Sequence, residues 1–144
     1  MERNERDMRV LYVTDFYYTD SSGSKTSARV HYQTLQNLYG SGNVDLIALV
    51  GKSKPNNVNK EHIVISSVHN NITLLLNCLR GYPTYIDKNS IRKILGIISE
   101  TKPDVIFVDN SIYGKMIRRI KISYPNISVL AYYHDVKAKL ARDG

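Results

Sequence analysis

The sequence predicts an α/β domain: a Rossmann-like open parallel sheet of strand order 3-2-1-4-5 with helices on both faces. Two observations predict it. Short apolar runs alternate along the chain with stretches of helical periodicity, a pattern that right-handed crossovers turn into a parallel sheet. Three of the runs also lead straight into polar segments: Val10–Val13 into Thr14–Lys25, Val105–Val108 into Asp109–Tyr113, and Val129–Tyr133 into His134–Asp135. In such sheets ligands bind in the crevice beyond the carboxyl ends of the strands, where the strand order reverses. The expected order puts that switch between the first and fourth strands.

The elements follow in turn. Residues 1–7 are mostly charged, with no signal-peptide core behind them, and read as a flexible tail. Met8–Val13 is a buried strand. Ser24-Lys25-Thr26-Ser27 offers helix caps, after which Ala28, Tyr32, Leu35 and Tyr39 recur at helical spacing until Gly40 and Gly42 stop the helix. Val44–Val50 is a second buried strand, Lys52–Lys60 a surface loop, and Ile63–Ile65 a short edge strand. Ile72–Leu79 is apolar almost all round and ends at Gly81-Tyr82-Pro83. Asn89-Ser90 caps a helix that carries Ile91, Ile94, Leu95 and Ile98 on one face, and Pro103 closes it. Val105–Val108 is the fourth strand. The next helix, Tyr113–Tyr124, sets Met116, Ile117 and Ile120 against Lys115, Arg118 and Arg119. Pro125-Asn126 then turns the chain into Ile127–Tyr133.

At 144 residues the chain is one domain, 1–144, with enough length to bury roughly two-thirds of its unfolded surface. No apolar run approaches the ~20 residues that cross a bilayer. A single cysteine, Cys78, excludes an internal disulfide and fits a reducing, cytoplasmic setting. Its neighbours Leu74, Leu75, Leu76 and Leu79 mark it as a small buried apolar residue and not a catalytic thiol. The net charge of +7 favours an anionic partner. The cations recur singly or in pairs without an aromatic ladder, which argues against nucleic acid and for an anionic membrane surface or a phosphorylated ligand.

Three groups of residues carry chemistry. In Asp20-Ser21-Ser22-Gly23-Ser24-Lys25-Thr26, Gly23 would let backbone N–H groups approach an anion at the positive end of the following helix. The same residues equally describe a common βα turn with an N-cap. A Walker A loop is excluded, because Ser24 interrupts Gly-Lys and Tyr18 stands at the upstream glycine position; G-x-G-x-x-G is absent too. His134, at the end of the fifth strand, is placed to bond an oxyanion or move a proton, or else to cap the strand. Asp109-Asn110-Ser111 suits a hydroxylated ligand, yet Ser111 also fits an N-cap and Asp109 a turn. No Gly-x-Ser-x-Gly elbow points to a hydrolase. His31 lies between Ala28 and Leu35 on an apolar stripe and reads as a packed partner. His62 and His69 have no neighbour at metal spacing, so no metal is expected.

Taken together, these segments resemble a known family. Met8-Arg9-Val10-Leu11-Tyr12-Val13-Thr14, followed by a Ser-Ser-Gly-Ser loop opening a helix, resembles the start of GT-B glycosyltransferases of the retaining, group-one (family-four) type. Lys102–Ser111, with the Ser-x-Tyr-Gly-Lys continuation at Ser111–Lys115, resembles their fourth strand and its turn. Tyr132-Tyr133-His134-Asp135-Val136 resembles their aromatic-aromatic-His-Asn-Val/Ile-Glu segment. Ser22-Gly23 stands where the family usually has paired glycines, and Asp135-Val136-Lys137 where it has Asn-Val-Glu.

The resemblance implies the amino-terminal, acceptor-side half of a two-domain hexosyl-type transferase that makes a polysaccharide or lipid-linked glycan. The nucleotide-sugar domain, with its Glu-x7-Glu element, would lie in the same or another chain, and residues 1–144 alone would be inactive. By the same resemblance, Gly23, Ser24 and Lys25 form the loop at the donor phosphates and sugar. His134 is the catalytic, sugar-facing residue. Asp109, Asn110, Ser111 and Tyr113 contact acceptor or sugar. A nucleotide sugar is the donor substrate, with no cofactor or metal required, and the enzyme works in the cytoplasm, peripherally on the inner face of the membrane. The competing expectation is a non-catalytic α/β binding or interaction domain of flavodoxin- or receiver-like layout. A receiver needs clustered acids after its first strand, where only Asp15 and Asp20 lie.

Overall fold

The computed structural model describes residues 7–15, 22–50, 61–65, 70–82, 86–109 and 114–132, and the side chains of residues 22–25, 61–63 and 65 lie outside that set. Residues 1–6 of the expected tail at 1–7, the loop at 52–60, and Asn110, Ser111, Tyr113, His134 and Asp135 lie outside the described residues. Strands β1 (Val10–Thr14), β2 (Val44–Val50), β3 (Glu61–Ile65), β4 (Val105–Asp109) and β5 (Ser128–Tyr132) form one sheet in the order β3-β2-β1-β4-β5. Every neighbouring pair is parallel, with Thr14 opposite both Ala48 and Asp109, and Asp109 opposite Tyr132. The fold is α/β with an all-parallel sheet.

The alternation of side chains along β1 sorts the core into two halves. Leu11 and Val13 point to one face, where Ile47, Val64, Ile106 and Val108 meet helices α3 (Lys88–Thr101) and α4 (Gly114–Ser123). Val10 and Tyr12 point to the other, where Val44 and Leu46 meet Leu35 of helix α1 (Ser22–Tyr39). The helical stripe of α3 accounts for its seat: Ile94 and Ile98 are 0% and 1% exposed, and each contributes roughly 1.5–3 kcal/mol by leaving water.

Helix boundaries depart from the expected ones where several polar residues compete for a cap. Asp87, not Asn89-Ser90, caps α3: its carboxylate accepts from the Ser90 N–H at 2.7 Å, and Asn89 and Ser90 fall in the first turn. The first strand starts at Val10 and extends to Thr14, and the third is two residues longer than expected. Helix α3 ends on Lys102 in the left-handed conformation (φ 48°), immediately before Pro103.

Helix α2 (Asn71–Leu79) overturns an expectation. Its N-terminus is closed by a capping box, in which Thr73 N–H donates to Asn70 Oδ1 at 2.8 Å and Asn70 N–H to Thr73 Oγ1 at 3.1 Å. Its leucines do not make a buried helix. Asn77 is its buried residue, while Ile72, Leu75, Leu76 and Leu79 face outward and Cys78, expected to be buried, is exposed. The physical reason is Asn77 Nδ2, which donates to the carbonyls of Tyr82 (3.0 Å) and Ile86 (3.1 Å) and ties that side of the helix to the chain leading into α3. Gly81, at φ +82°, supplies the left-handed turn that ends α2.

Candidate functional site

The α1 face of the sheet places four side chains together at the carboxyl ends of β1, β4 and β5. Thr14, Asp109 and Tyr132 lie in one register row, and Tyr12 is two residues before Thr14 on the same face. Asp109 is fully buried and works as an acceptor: Tyr12 Oη donates to its Oδ2 at 2.5 Å and Thr14 Oγ1 donates to the same oxygen at 3.3 Å. His31 reaches over from α1, with Nδ1 3.9 Å from that oxygen and its side chain a third exposed. The His31 ring meets the edge of Tyr132 at 4.8 Å between centroids, and Tyr32 stacks on Tyr12 at 6.3 Å.

The electrostatics follow from burial. Tyr12 is 2% exposed, and removal from water pushes its phenol well above the ordinary tyrosine value. The hydrogen bond to Asp109 and that carboxylate's charge act in the same direction. Tyr12 thus keeps its proton and remains a fixed donor to Asp109. The result is a rigid polar floor, with one partly exposed imidazole at its rim that can donate to or accept from a ligand.

This floor lies between β1 and β4, the point where the chain switches from building the sheet in one direction to building it in the other. Helix α1 begins beyond it. His31 stands at the level of the strand ends, and the helix starts nine residues earlier, at Ser22. At 1.5 Å per residue, those nine residues span roughly 13 Å of helix. Gly23, Ser24 and Lys25, expected in a loop ahead of the helix, belong by their backbone to its first turn. The first N–H groups of a helix lack partners within it, and negative charge is stabilised there.

Of the expected site residues, the described structure brings Asp109 to the switch point and sets Gly23, Ser24 and Lys25 by their backbone in the first turn of α1. Asp109 is covered by the side chains it anchors. Sequence reasoning missed Tyr12 and the pairing of His31 with Asp109. The available signal was register: Tyr12 and Thr14 alternate onto one face at the end of a strand predicted to neighbour the one that ends in Asp109.

Among the described residues no helix is long and apolar enough to cross a membrane, and no group of three metal-ligating side chains occurs. Compared with known proteins, the chain matches no protein-family model, no curated protein and no solved structure.

Proposed function

We propose that the chain is the amino-terminal, acceptor-side domain of a GT-B glycosyltransferase, moving a sugar from a nucleotide-sugar donor to a polysaccharide or lipid-linked glycan. The observation that carries the reading is the polar floor at the β1/β4 switch, to whose rim α1 contributes His31. The order and spacing of the three sequence segments that resemble the family support it independently, as does the Rossmann-like pattern of a parallel sheet with helices on both faces.

In this reading the first turn of α1, with Gly23, Ser24 and Lys25, faces the donor diphosphate. Its backbone N–H groups and helix dipole stabilise charge that develops as the sugar leaves. His134 faces the reacting sugar, and Asn110, Ser111 and Tyr113 contact sugar or acceptor hydroxyls. Asp109 acts from beneath by holding Tyr12, Thr14 and His31 in place. The donor would be shared with a second domain that supplies the opposite wall.

A transfer assay tests the reading. Residues 1–144 alone should not turn over nucleotide sugars, because one wall cannot stabilise the leaving diphosphate from both sides. In the two-domain enzyme, His134→Ala should lower kcat about ten- to a thousandfold, the range for one lost positioned polar group, with the thermal midpoint unchanged. Sugar transfer by residues 1–144 alone, or full activity with reduced stability in the His134→Ala enzyme, contradicts it.

A further inference from the structure

A second concavity opens toward the carboxyl ends of the strands, on the face of the sheet opposite α1. Helix α3 ends at Thr101, near the amino ends of the strands, where the Asp104 N–H donates to the Arg9 carbonyl at 2.8 Å. Its first residue, Lys88, lies at the other end of the sheet, on the side that α3 and α4 cover. There the end of α2 and the start of α3 enclose a cavity of about 620 Å³, whose lining includes Arg80, Tyr82, Asp87, Lys88 and Asn89. Its walls are held in advance, as in most ligand sites. Asn77 commits both Nδ2 protons to the carbonyls of Tyr82 and Ile86. Lys115, in the first turn of α4, donates through Nζ to the Gly81 carbonyl at 2.9 Å and lies 4.1 Å from the centre of the Tyr82 ring. The turn at 80–82 is thus tied to α2 on one side and to α4 on the other.

The charges in the lining are of two kinds. Asp87 is 8% exposed, and its carboxylate caps α3 through the Ser90 N–H at 2.7 Å, so the positive end of that helix balances its charge. Arg80 and Lys88 are exposed, and neither has an acidic partner among the described residues. A bare anion would meet the Asp87 carboxylate, and a neutral ligand would leave both cations unanswered. A polyhydroxylated body bearing one acid group suits the whole lining. Its hydroxyls donate to Asp87, since a carboxylate has roughly four acceptor positions, and its acid accepts from Arg80 and Lys88. Asn89 adds an amide that both donates and accepts.

From this lining we infer that the cavity between α2 and α3 binds an acidic sugar residue, a hexuronate. The site is separate from the polar floor, which faces α1 across the sheet and uses none of these side chains. A hexuronate held here as part of an acceptor glycan rests on the transfer reading; its recognition by Arg80, Asp87 and Lys88 does not.

Amide chemical-shift mapping of the full chain tests it. Glucuronic and galacturonic acid are the probes, with glucose and sodium acetate at matched pH and ionic strength as controls. At least one hexuronic acid should shift the amides of Arg80, Tyr82, Lys88 and Asn89 along one saturation curve, and should bind about tenfold or more tightly than either control. Arg80→Gln with Lys88→Gln, both exposed and so tolerated by the fold, should weaken that binding about tenfold or more and leave the thermal midpoint unchanged. No response to either acid, equal binding of glucose or acetate, or undiminished binding by the double variant overturns the inference. A nucleotide-sugar titration of the same sample, read at Thr14 and Asp109, separates the two proposals. Silence there with saturation at Arg80 and Lys88 removes the transfer reading and keeps this site, whereas the reverse removes this site alone.

Discussion

Tyr12 couples the site to the stability of the fold. Its hydroxyl donates to a carboxylate with no access to water, so Tyr12→Phe leaves Asp109 with one donor fewer. That loss should cost about 1–3 kcal/mol at neutral pH, read as a lower urea midpoint with an unchanged slope. The phenol also gives the fold a defined alkaline limit. Its proton affinity is raised in the folded state, by burial first and by Asp109 second, so the folded protein holds a proton that the unfolded chain releases. Tyr32 is shifted the same way, by burial and by Asp45. Stability from these groups is whole below the ordinary tyrosine value of about 10 and falls as the pH rises past it. Thermal midpoints measured through that window should drop steeply for the native chain and less steeply for Tyr12→Phe. Equal slopes would mean that Tyr12 ionises as readily folded as unfolded.

At the scale of the element, the helices divide by what a periodic pattern can encode. In α3 and α4 apolar positions recur at i, i+3 and i+4 with polar residues between them, so the inward faces of Ile94/Ile98 and Met116/Ile120 could be read directly. In α2 six of nine positions are apolar and they run almost all round the helix, so no pattern says which side turns in. The decision rests on one amide and two carbonyls outside the helix, a tertiary fact with no local signature. Asn77→Leu should accordingly destabilise the protein in spite of the added hydrophobicity. The carbonyls of Tyr82 and Ile86 lose their donor, a cost of roughly 1–3 kcal/mol and several degrees of thermal midpoint. A more stable Asn77→Leu protein would show that packing, not hydrogen bonding, orients α2. The cap of α3 was hidden for a related reason: Asp87, Asn89 and Ser90 all suit a cap, and buried Ile86 fixes where the chain turns in. Lys102 is a non-glycine residue in the left-handed region, so Lys102→Gly should relieve strain and raise stability by up to about 1 kcal/mol. Chemical denaturation decides this, and a destabilised variant would count against strain at that residue.

Across the whole molecule, the parallel sheet was legible because each strand is a short apolar run set between helical patterns and turn residues. The candidate site was legible only in part. Asp109 and the start of α1 announce themselves by following strands, whereas the link from Tyr12 through Asp109 to His31 exists only once β1 and β4 lie side by side. The central claim is that this crevice receives a nucleotide sugar. Amide chemical-shift mapping of residues 1–144, titrated with uridine-, guanosine- and thymidine-diphosphate sugars, tests it most directly, since weak binding to one wall of a divided site is still visible. At least one donor should shift the amides of Ser22–Lys25, Thr14, Asp109 and His134 along a common saturation curve. No response to any donor, or a response confined to the opposite end of the sheet around Val10, Val44 and Val105, would contradict it.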